Sequence, residues 1–439
     1  MTPSGRDNDR RGCHPPAQGL ATRAVHGGTA PDPATGARVT PIYQTTSYVF
    51  RDIEHAARLF DLDEFGQIYS RITNPTAQAL EGKMAALDGG AGAIACASGH
   101  AAQFLAFLPL MEAGDHFVAS RHLYGGSVTQ FGHSFARLGW QVSFVDATDP
   151  ENVRAAVGER TRAIFTESLS NPGGIVMDLE ALAAIARDAG VPLIVDNTLA
   201  TPALLRPFEW GADIAVYSTT KFVAGHGNAI GGVIVDSGNF PWDGRYPALT
   251  APSTAYHGIR FAERFGPLAY TVYGHAVGLR DFGPAMAPMT AFLTLTGAET
   301  LPLRMARHSE NALALASWLE ARPEVAWVSY AGLRSSPCRA LAGKYLPHGA
   351  GAVFTFGLRG GFEAGCRFVE ACRLFSHLAN VGDTRSLIIH PASTTHRQLG
   401  EEDRIAAGAG PDVIRISAGI EDVADLIADL EQALAAACT

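Results

Sequence analysis

The sequence predicts an α/β protein with a mostly parallel, seven-stranded sheet in a large domain, followed by a smaller α+β domain. Short runs rich in β-branched residues alternate with amphipathic helical stretches, as in a sheet covered on both faces. The pattern changes near Gly297. The apolar runs before that point lie at residues 93–98, 116–120, 141–146, 163–167, 192–196, 214–218 and 232–235.

The helices are marked by their periodicity and their ends. Residues 178–189 place Leu179 and Ile185 on one apolar stripe, and Gly190 follows as a stop signal. The second domain is predicted to contain a helix over 301–319, strands within VAWVSYAG, GAVFTFGL, SLIIH and VIRISAGI, and a helix over 423–436. Ligands of open sheets bind beyond the carboxyl ends of the strands, so strand-end residues are the first candidates for a site.

The composition favours a globular protein that binds small molecules. The chain has 439 residues, a formal net charge of -9 and 47% hydrophobic residues, enough to bury a sizeable core. No basic block is present, which argues against nucleic acid or an anionic membrane surface as the main partner. The six cysteines form no CxxC pair and share no regular spacing with histidines, so we expect a reduced, cytoplasmic protein without a metal site.

We divide the chain into a leader, an arm and two domains. Residues 1–19 are polar and rich in Pro, Gly and Arg, which predicts a disordered leader without a signal peptide or transmembrane span. Residues 20–70 form a Pro- and Thr-rich arm that cannot make a core alone and is expected to wrap another surface. Residues 71–297 make the large domain and residues 298–439 the small one.

A lysine stands at one strand end, within VYSTTKFVAGHGN. A lysine in such a place is most often a solvated surface residue. Here Ser218 and Thr220 precede Lys221 and glycines follow it, which provides hydroxyl donors for an anion and allows close approach of the backbone. The order of lysine and glycines is the reverse of that in a P-loop, so the stretch is not a nucleotide-binding loop of that kind.

Two further strand ends carry complementary chemistry. Asp196 closes PLIVD, where a buried carboxylate needs donors or a cation, and it either caps the next helix or holds a protonated pyridine nitrogen. The run AIACAS ends at Ser98, and the helix that begins at Gly99 and His100 offers free N–H groups for a phosphate. Such a junction is common in α/β proteins, so it indicates a phosphate site only in combination with Lys221 and Asp196.

Together, the amine of Lys221, the carboxylate of Asp196 and the N–H groups at Gly99 fit one cofactor, pyridoxal 5'-phosphate (PLP). Its aldehyde condenses with a lysine, and an acid on its ring nitrogen keeps the ring an electron sink. The helix start and the neighbouring hydroxyls suit its phosphate. We therefore predict a PLP site at this edge of the sheet.

Other side chains fit around that cofactor. Tyr124, in RHLYGGS, is either a ring-stacking residue or a loop tyrosine packed on the surface. Tyr69 and Arg71, in YSRITNP, are phosphate-binding types, although they also suit an exposed turn. Arg415 lies inside an apolar strand, where it either binds the carboxylate of an amino-acid substrate or forms a structural ion pair.

A set of motifs occurs in order along the chain: YSRITNPT, ASGHAAQF, ESLSNPGG, VDNT, STTKFVAGHG, NVGDTRSLIIHPASTTHRQL and RISAGIED. From about Leu20 onward the chain resembles the Cys/Met-metabolism group of fold type I PLP-dependent enzymes. Within that group it resembles the O-acetylhomoserine sulfhydrylase branch. The stretch YPALTAPSTAYHGIRFAERFGPLAY is similar to an insertion that the sulfhydrylases carry and the related lyases lack.

The resemblance implies roles for individual residues. Lys221 would carry the cofactor, Asp196 would pair with its pyridine nitrogen, and Tyr124 would stack on its ring. The phosphate would be held by Ser218 and Thr220 and by the backbone of Gly99 and His100, together with Tyr69 and Arg71 of the neighbouring subunit. Ser98 would also bind the cofactor. The substrate carboxylate would be bound by Arg415, Asn171 and Ser386. The implied catalytic residues are Lys221, Tyr124 and Tyr69, and the implied assembly is a homotetramer built from active dimers.

The resemblance also implies a γ-replacement in methionine biosynthesis, in which O-acetyl-L-homoserine and sulfide give L-homocysteine and acetate. Cystathionine γ-synthase, O-succinylhomoserine sulfhydrylase and methionine γ-lyase are alternatives on the same scaffold. Methionine γ-lyases carry a cysteine two residues after the stacking tyrosine, where this chain has Gly126, which argues against the lyase. The complete set of Lys, Asp, Tyr and Arg disfavours a PLP carrier without turnover, and the lack of G-x-S-x-G disfavours a serine hydrolase.

Overall fold

The computed structural model describes residues 18–395, 397, 400 and 408–437. The large domain is built on a seven-stranded sheet in the order β1-β7-β6-β5-β4-β2-β3. These strands are β1 (Gly92–Cys96), β2 (His116–Ser120), β3 (Gln141–Val145), β4 (Thr161–Glu167), β5 (Leu193–Asp196), β6 (Ile214–Ser218) and β7 (Gly232–Asp236). Strand β7 pairs antiparallel with β1 and β6, and the other pairings are parallel, which confirms the predicted architecture.

Helices cover both faces of this sheet. Those before the small domain are α1 (Leu20–His26), α2 (Ile53–Phe60), α3 (Pro75–Asp88), α4 (Gly99–Phe107), α5 (Gly125–Thr129), α6 (Pro150–Ala156), α7 (Leu179–Ala189), α8 (Thr201–Leu204), α9 (Pro247–Thr250), α10 (Phe261–Phe265), α11 (Ala269–Tyr273) and α12 (Pro288–Glu299). On β5, Ile194 packs in one hydrophobic cluster and Val195 in another, so successive side chains serve opposite faces.

The small domain contains a five-stranded sheet in the order β10-β11-β12-β9-β8. Its strands are β8 (Val325–Ser329), β9 (Val353–Leu358), β10 (Ser376–His377), β11 (Leu387–Ile389) and β12 (Val413–Ser417). Its helices are α13 (Leu301–Glu320), α14 (Arg339–Tyr345), α15 (Gly361–Ala371) and α16 (Val423–Ala437). The two-residue β10 was not predicted, because a strand this short leaves no alternation to detect.

Several predicted boundaries shift by one or two residues. The run predicted over 93–98 pairs as a strand only to Cys96, because Ser98 has extended backbone and caps α4 by accepting from the Ala101 N–H at 3.1 Å. The helix predicted over 178–189 begins at Leu179, with Asp178 as its N-cap. Gly190 then ends it with a φ of 65°, a left-handed conformation that favours glycine.

The arm predicted over 20–70 begins by packing on its own chain. Lys83 of α3 is fully buried, and its Nζ donates to the Ala24 carbonyl at the end of α1 at 2.6 Å. Farther along the arm, Val49 and Ile53 are 98% and 88% exposed. The predicted leader lies outside the described residues apart from Gln18 and Gly19.

A buried hydrogen-bond network crosses the sheet beside Asp196. The Tyr217 hydroxyl donates to Asp88 Oδ1 at 2.8 Å and accepts from Asn197 Nδ2 at 2.9 Å. Asn197 in turn accepts from the Ser168 hydroxyl at 2.7 Å. Burial raises the pKa of Asp88 to about 7. The network fixes the residue that follows Asp196 and so holds the end of β5.

We expect Tyr217→Phe to destabilise the protein by about 1–3 kcal/mol, because it leaves buried polar groups of Asp88 and Asn197 without their partner. Urea unfolding followed by circular dichroism measures the change. Tyr273→Phe is the matched control, since the Tyr273 hydroxyl forms no hydrogen bond with the described part of the chain. Equal stability of the two variants would contradict this role of the network.

Candidate active site

A cavity of about 320 Å³ lies at the carboxyl ends of β4, β5 and β6. Most of the residues predicted for the site line it: Ser98, Gly99, His100, Tyr124, Asn171, Asp196, Ser218, Thr220, Lys221 and Arg415. The parallel strands bring these residues together although they are far apart in sequence, as expected for an open α/β sheet. Ser386, Tyr69 and Arg71 do not line the cavity.

Lys221 projects its amine into this cavity from the turn that follows β6. Its Nζ donates to Asn380 Oδ1 at 2.5 Å. Burial, and secondly the nearby charge of Arg415, lower the pKa of Lys221 to about 8. The neutral, nucleophilic form of the amine is therefore accessible near neutral pH, unlike that of a solvated lysine.

Asp196, at the end of β5, directs its carboxyl into the same cavity. Its Oδ1 accepts from the Thr198 N–H at 3.0 Å and its Oδ2 from Gln103 Nε2 at 3.1 Å. Burial raises the pKa of Asp196, and these hydrogen bonds oppose that rise. The next helix, α8, begins at Thr201, so Asp196 forms a local turn and is not a helix cap.

The start of α4 forms a close cradle against β6. A Cβ added at Gly99 would lie 2.7 Å from Ser218 Cβ, so only glycine allows this approach. The Ser218 hydroxyl forms no hydrogen bond within the described residues and faces the cavity. The Thr220 hydroxyl is paired with both the N–H and the carbonyl of Gly231, at 3.1 and 3.2 Å. Thr219 is fully buried and does not line the cavity.

Tyr124 stands over the cavity opening. Its ring is 49% exposed and stacks on the His100 ring, with centroids 5.9 Å apart and planes 29° apart. Burial lowers the pKa of His100, which favours the neutral imidazole. The two rings provide a flat surface on one side of the cavity, as a planar ligand requires.

Arg415 of β12 brings a buried cation from the small domain. Its Nη1 donates to Asn171 Oδ1 at 3.2 Å and its Nη2 to the Asn380 carbonyl at 3.1 Å. No carboxylate of the described residues forms an ion pair with it, so the structural ion pair considered from the sequence is not seen there. Burial lowers the pKa of Arg415 to about 10. A planar cation whose described neighbours include no anion suits a bound carboxylate.

Ser386 does not take the position expected from the sequence. It is fully buried outside the cavity, where its hydroxyl donates to Glu421 Oε2 at 2.9 Å and accepts from the Gly419 N–H at 2.8 Å. Ala379, Asn380 and Val381 of this loop line the cavity, and Asn380 forms hydrogen bonds with both Lys221 and Arg415. Asn380 therefore occupies the place that was assigned to Ser386.

Tyr69 and Arg71 lie on the surface. Tyr69 is 40% exposed, and the Arg71 guanidinium carbon lies 5.5 Å from the centre of its ring. The neighbouring Ile72 carbonyl bonds His275 Nδ1 at 2.9 Å, which ties this segment to the region that follows α11. The pair is thus held in place but does not line the cavity of its own chain.

The sequence reasoning missed Glu167 and Gln103 as well as Asn380. Glu167 ends β4 opposite Asp196 in the strand register, so the strand-end argument applied to Asp196 would have found it. Burial and the neighbouring Asp196 raise the pKa of Glu167 well above its usual range. Gln103 lies one helical turn after Gly99 and His100, on the same face of α4. This spacing could have identified Gln103 as a site residue from the sequence.

The residues present fit PLP by the chemistry of their groups. The cavity combines a buried amine of lowered pKa at Lys221, a buried carboxyl at Asp196 and the glycine cradle at Gly99. These are an attachment point, a partner for a ring nitrogen and a place for a phosphate. Within the described residues no cluster of metal-ligating side chains occurs. No helix of that part of the chain is long and apolar enough to span a bilayer.

The chain belongs to the Cys/Met metabolism PLP-dependent enzyme family, whose model matches residues 21–435. The match covers the arm, the sheet with its cavity and most of the small domain. PLP is therefore the cofactor that this fold and cavity serve.

Two curated relatives are about half identical to this chain. The chain is 54% identical over 417 residues to O-acetyl-L-homoserine sulfhydrylase 1 of Thermus thermophilus, covering 94% of this chain and 99% of the relative. It is 49% identical to homocysteine synthase of Schizosaccharomyces pombe, with 94% and 97% covered.

A solved structure is similar to this chain over nearly its whole length. An O-acetylhomoserine (thiol)-lyase from Campylobacter jejuni superposes with a TM-score of 0.92 at 38% identity, over 95% of this chain and 99% of the other. That protein carries N'-pyridoxyl-lysine-5'-monophosphate, a lysine joined to the cofactor.

We expect cofactor-free protein to capture PLP with a pH midpoint near 8, because capture needs the neutral Lys221 amine. Arg415→Gln should move this midpoint upward, since it removes a positive charge that disfavours the protonated amine. The midpoint should stay below 10.5, because burial, the larger cause, remains. The rate of appearance of the visible absorption band measures it.

Arg154→Gln, a change on the exposed helix α6, is the control and should leave the midpoint unchanged. An unchanged or lower midpoint in Arg415→Gln would refute the coupling between the two cations.

Proposed function

We propose that the protein catalyses γ-replacement on O-acetyl-L-homoserine, giving L-homocysteine and acetate from sulfide. The bond between Cγ and the ester oxygen breaks, acetate leaves with the electron pair, and the sulfide sulfur forms the new bond to Cγ. The observation that carries the proposal is the convergence in one cavity of Lys221, Asp196 and Arg415, a cation without an ion-pair partner among the described residues. The names of the relatives supply the substrate class.

Bound PLP supplies an electron sink that acidifies the carbon atoms next to the substrate nitrogen. Lys221 then has two tasks: it holds the cofactor before the substrate enters, and its released amine moves protons at Cα and Cβ. Asn380 Oδ1, at 2.5 Å from Nζ, is the acceptor that orients the amine while it is free. Its lowered pKa lets the amine both accept and return a proton near neutral pH.

The substrate carboxylate is assigned to Arg415 and Asn171. The guanidinium has the fork geometry for a carboxylate, and the Asn171 amide lies directly against it. The main-chain carbonyl of Asn380 accepts from the same guanidinium, so the residue whose side chain orients Lys221 also positions Arg415. The carboxylate end and the reacting end of the substrate are thereby kept at a fixed separation.

The surroundings of Gly126 support replacement over elimination by a methionine γ-lyase. A Cβ at this position would lie 2.4 Å from Tyr124 Cε1 and 2.9 Å from the His100 ring. The cysteine that characterises the lyases therefore does not fit without moving Tyr124 off its stacked position. The acylated homoserine is the favoured substrate on this scaffold.

We also propose that the active unit is a dimer in a homotetramer of two such dimers, located in the cytoplasm. Tyr69 and Arg71 lie outside the cavity of their own chain, and their types suit a phosphate. Val49 and Ile53 of the same arm expose their apolar side chains almost completely. A neighbouring subunit would bury these side chains and receive Tyr69 and Arg71 at its own cofactor phosphate.

Product analysis tests the reaction. With O-acetyl-L-homoserine and sulfide the purified holoenzyme should release homocysteine and acetate in equal amounts, and Lys221→Ala should release neither over repeated turnovers. O-succinyl-L-homoserine, cysteine as sulfur donor, and methionine alone are the comparison reactions. Cystathionine or α-ketobutyrate as the main product, or multiple turnovers by Lys221→Ala, would refute the proposal. A complete lack of turnover would favour a PLP carrier.

Mixing two defective variants tests the shared site. Lys221→Ala has an intact Arg71 but no amine, whereas Arg71→Ala has the amine but a weakened phosphate site. Co-expressed, the two should regain about a quarter of wild-type activity, because half of the dimers are mixed and each has one complete site. Activity no higher than that of Arg71→Ala alone, in a preparation in which mixed dimers are detected, would contradict the shared site.

A further inference from the structure

Glu167 is a buried carboxyl of this cavity to which the proposed reaction gives no task. It ends β4 and is 5% exposed. No ion pair joins it to a cation within the described residues. Both of its oxygens accept main-chain N–H groups instead: Oε1 from Tyr124 at 2.6 Å and Oε2 from Asn171 at 3.0 Å. A carboxyl buried in this way needs such donors to offset its loss of hydration.

The two donors belong to different walls of the cavity. Tyr124 lies in the loop after β2 and forms the stacked pair with His100. Asn171 lies in the loop after β4, and its side chain accepts from Arg415. One carboxyl therefore joins the loop that presents the ring surface to the loop that contacts the buried cation.

We propose that Glu167 is a positioning residue that sets the ring surface of Tyr124 and the carboxylate-binding pair of Asn171 and Arg415 in register with each other. The proposal rests on the proposed function, which assigns the cofactor ring to Tyr124 and the substrate carboxylate to Arg415. Glu167 acts through these residues and has no reacting atom of its own. Its effect is to keep the planar ligand and the carboxylate site at a fixed relative position.

A carboxyl group suits this task better than an amide does. Both of its oxygens can accept a hydrogen bond, whether or not the group carries a proton, so both loops are held at once. A glutamine offers one accepting oxygen, and its NH₂ group would face the second N–H donor. Glu167→Gln therefore keeps the size of the side chain and releases one of the two loops.

The test compares two ligands that differ only in a carboxylate. L-Alanine and ethylamine each bind to the holoenzyme through their amine, and the visible absorption of the bound cofactor reports binding without sulfide or turnover. The ratio of their dissociation constants measures recognition of the carboxylate. In Glu167→Gln we expect the preference for L-alanine to fall about tenfold, the size of effect expected for one hydrogen bond to a charged group.

A second readout concerns the ring surface. The visible circular dichroism of the bound cofactor reports how its ring is held, and we expect this signal to weaken in Glu167→Gln. Glu151→Gln, the same change on an exposed face of α6, is the control and should keep both values. Glu167→Asp keeps the carboxyl group but is shorter, so it should lower the same ratio, and it serves if the glutamine variant does not fold.

The outcomes separate this inference from the proposed function. A folded Glu167 variant with the wild-type ligand ratio and the wild-type dichroism overturns the inference, even if its unfolding midpoint is lower, because that result describes a purely structural residue. A wild-type enzyme that does not prefer L-alanine over ethylamine overturns the carboxylate site of the proposed function, and the inference with it. A lower ratio with weakened dichroism supports both.

Discussion

Two carboxyls and two cations are removed from water in one cavity, and the rest of the site depends on how they are kept apart. Glu167, Asp196, Lys221 and Arg415 all line it, yet none of them pairs directly with another among the described residues. Each is instead satisfied by neutral groups, namely main-chain N–H and C=O groups and the amides of Gln103, Asn171 and Asn380. The two cations and the Asp196 carboxyl therefore remain available to a ligand that carries both signs, which is the character of PLP together with an amino acid.

The two domains meet at the lysine of this cavity. Arg304 of α13 is buried, and its guanidinium donates to the carbonyls of Phe222 and Val223 at 2.7 and 3.1 Å, directly after Lys221. Gly382, two residues after Asn380, packs so closely that an added Cβ would lie 3.0 Å from Lys221 Cα. Contacts from the small domain therefore fix the position of the Lys221 amine as much as contacts from the sheet do. A shift of either would move Nζ.

The sequence predicted the parts of the site that local rules determine. Lys221, Asp196 and the Gly99 cradle follow apolar runs, and the ends of such runs are readable without tertiary information. Local rules could not predict that Asn380 lines the cavity and that Ser386 does not. Both residues lie in one loop, and which of them reaches the cavity depends on how Gly382 docks and on Glu421 and Gly419, which hold Ser386 elsewhere. Glu167 was missed because the strand-end argument that identified Asp196 was not applied to the end of β4.

The lack of space at Gly126 also limits which substitutions this position can accept during evolution. The resemblance implies a cysteine at this position in methionine γ-lyases, but here a side chain would meet Tyr124 and His100 at once. A single substitution from glycine would disturb the ring surface before it could contribute any new chemistry. A side chain at this position therefore requires a shift of Tyr124 or His100, so the effect of a mutation there depends on how far these two rings can move.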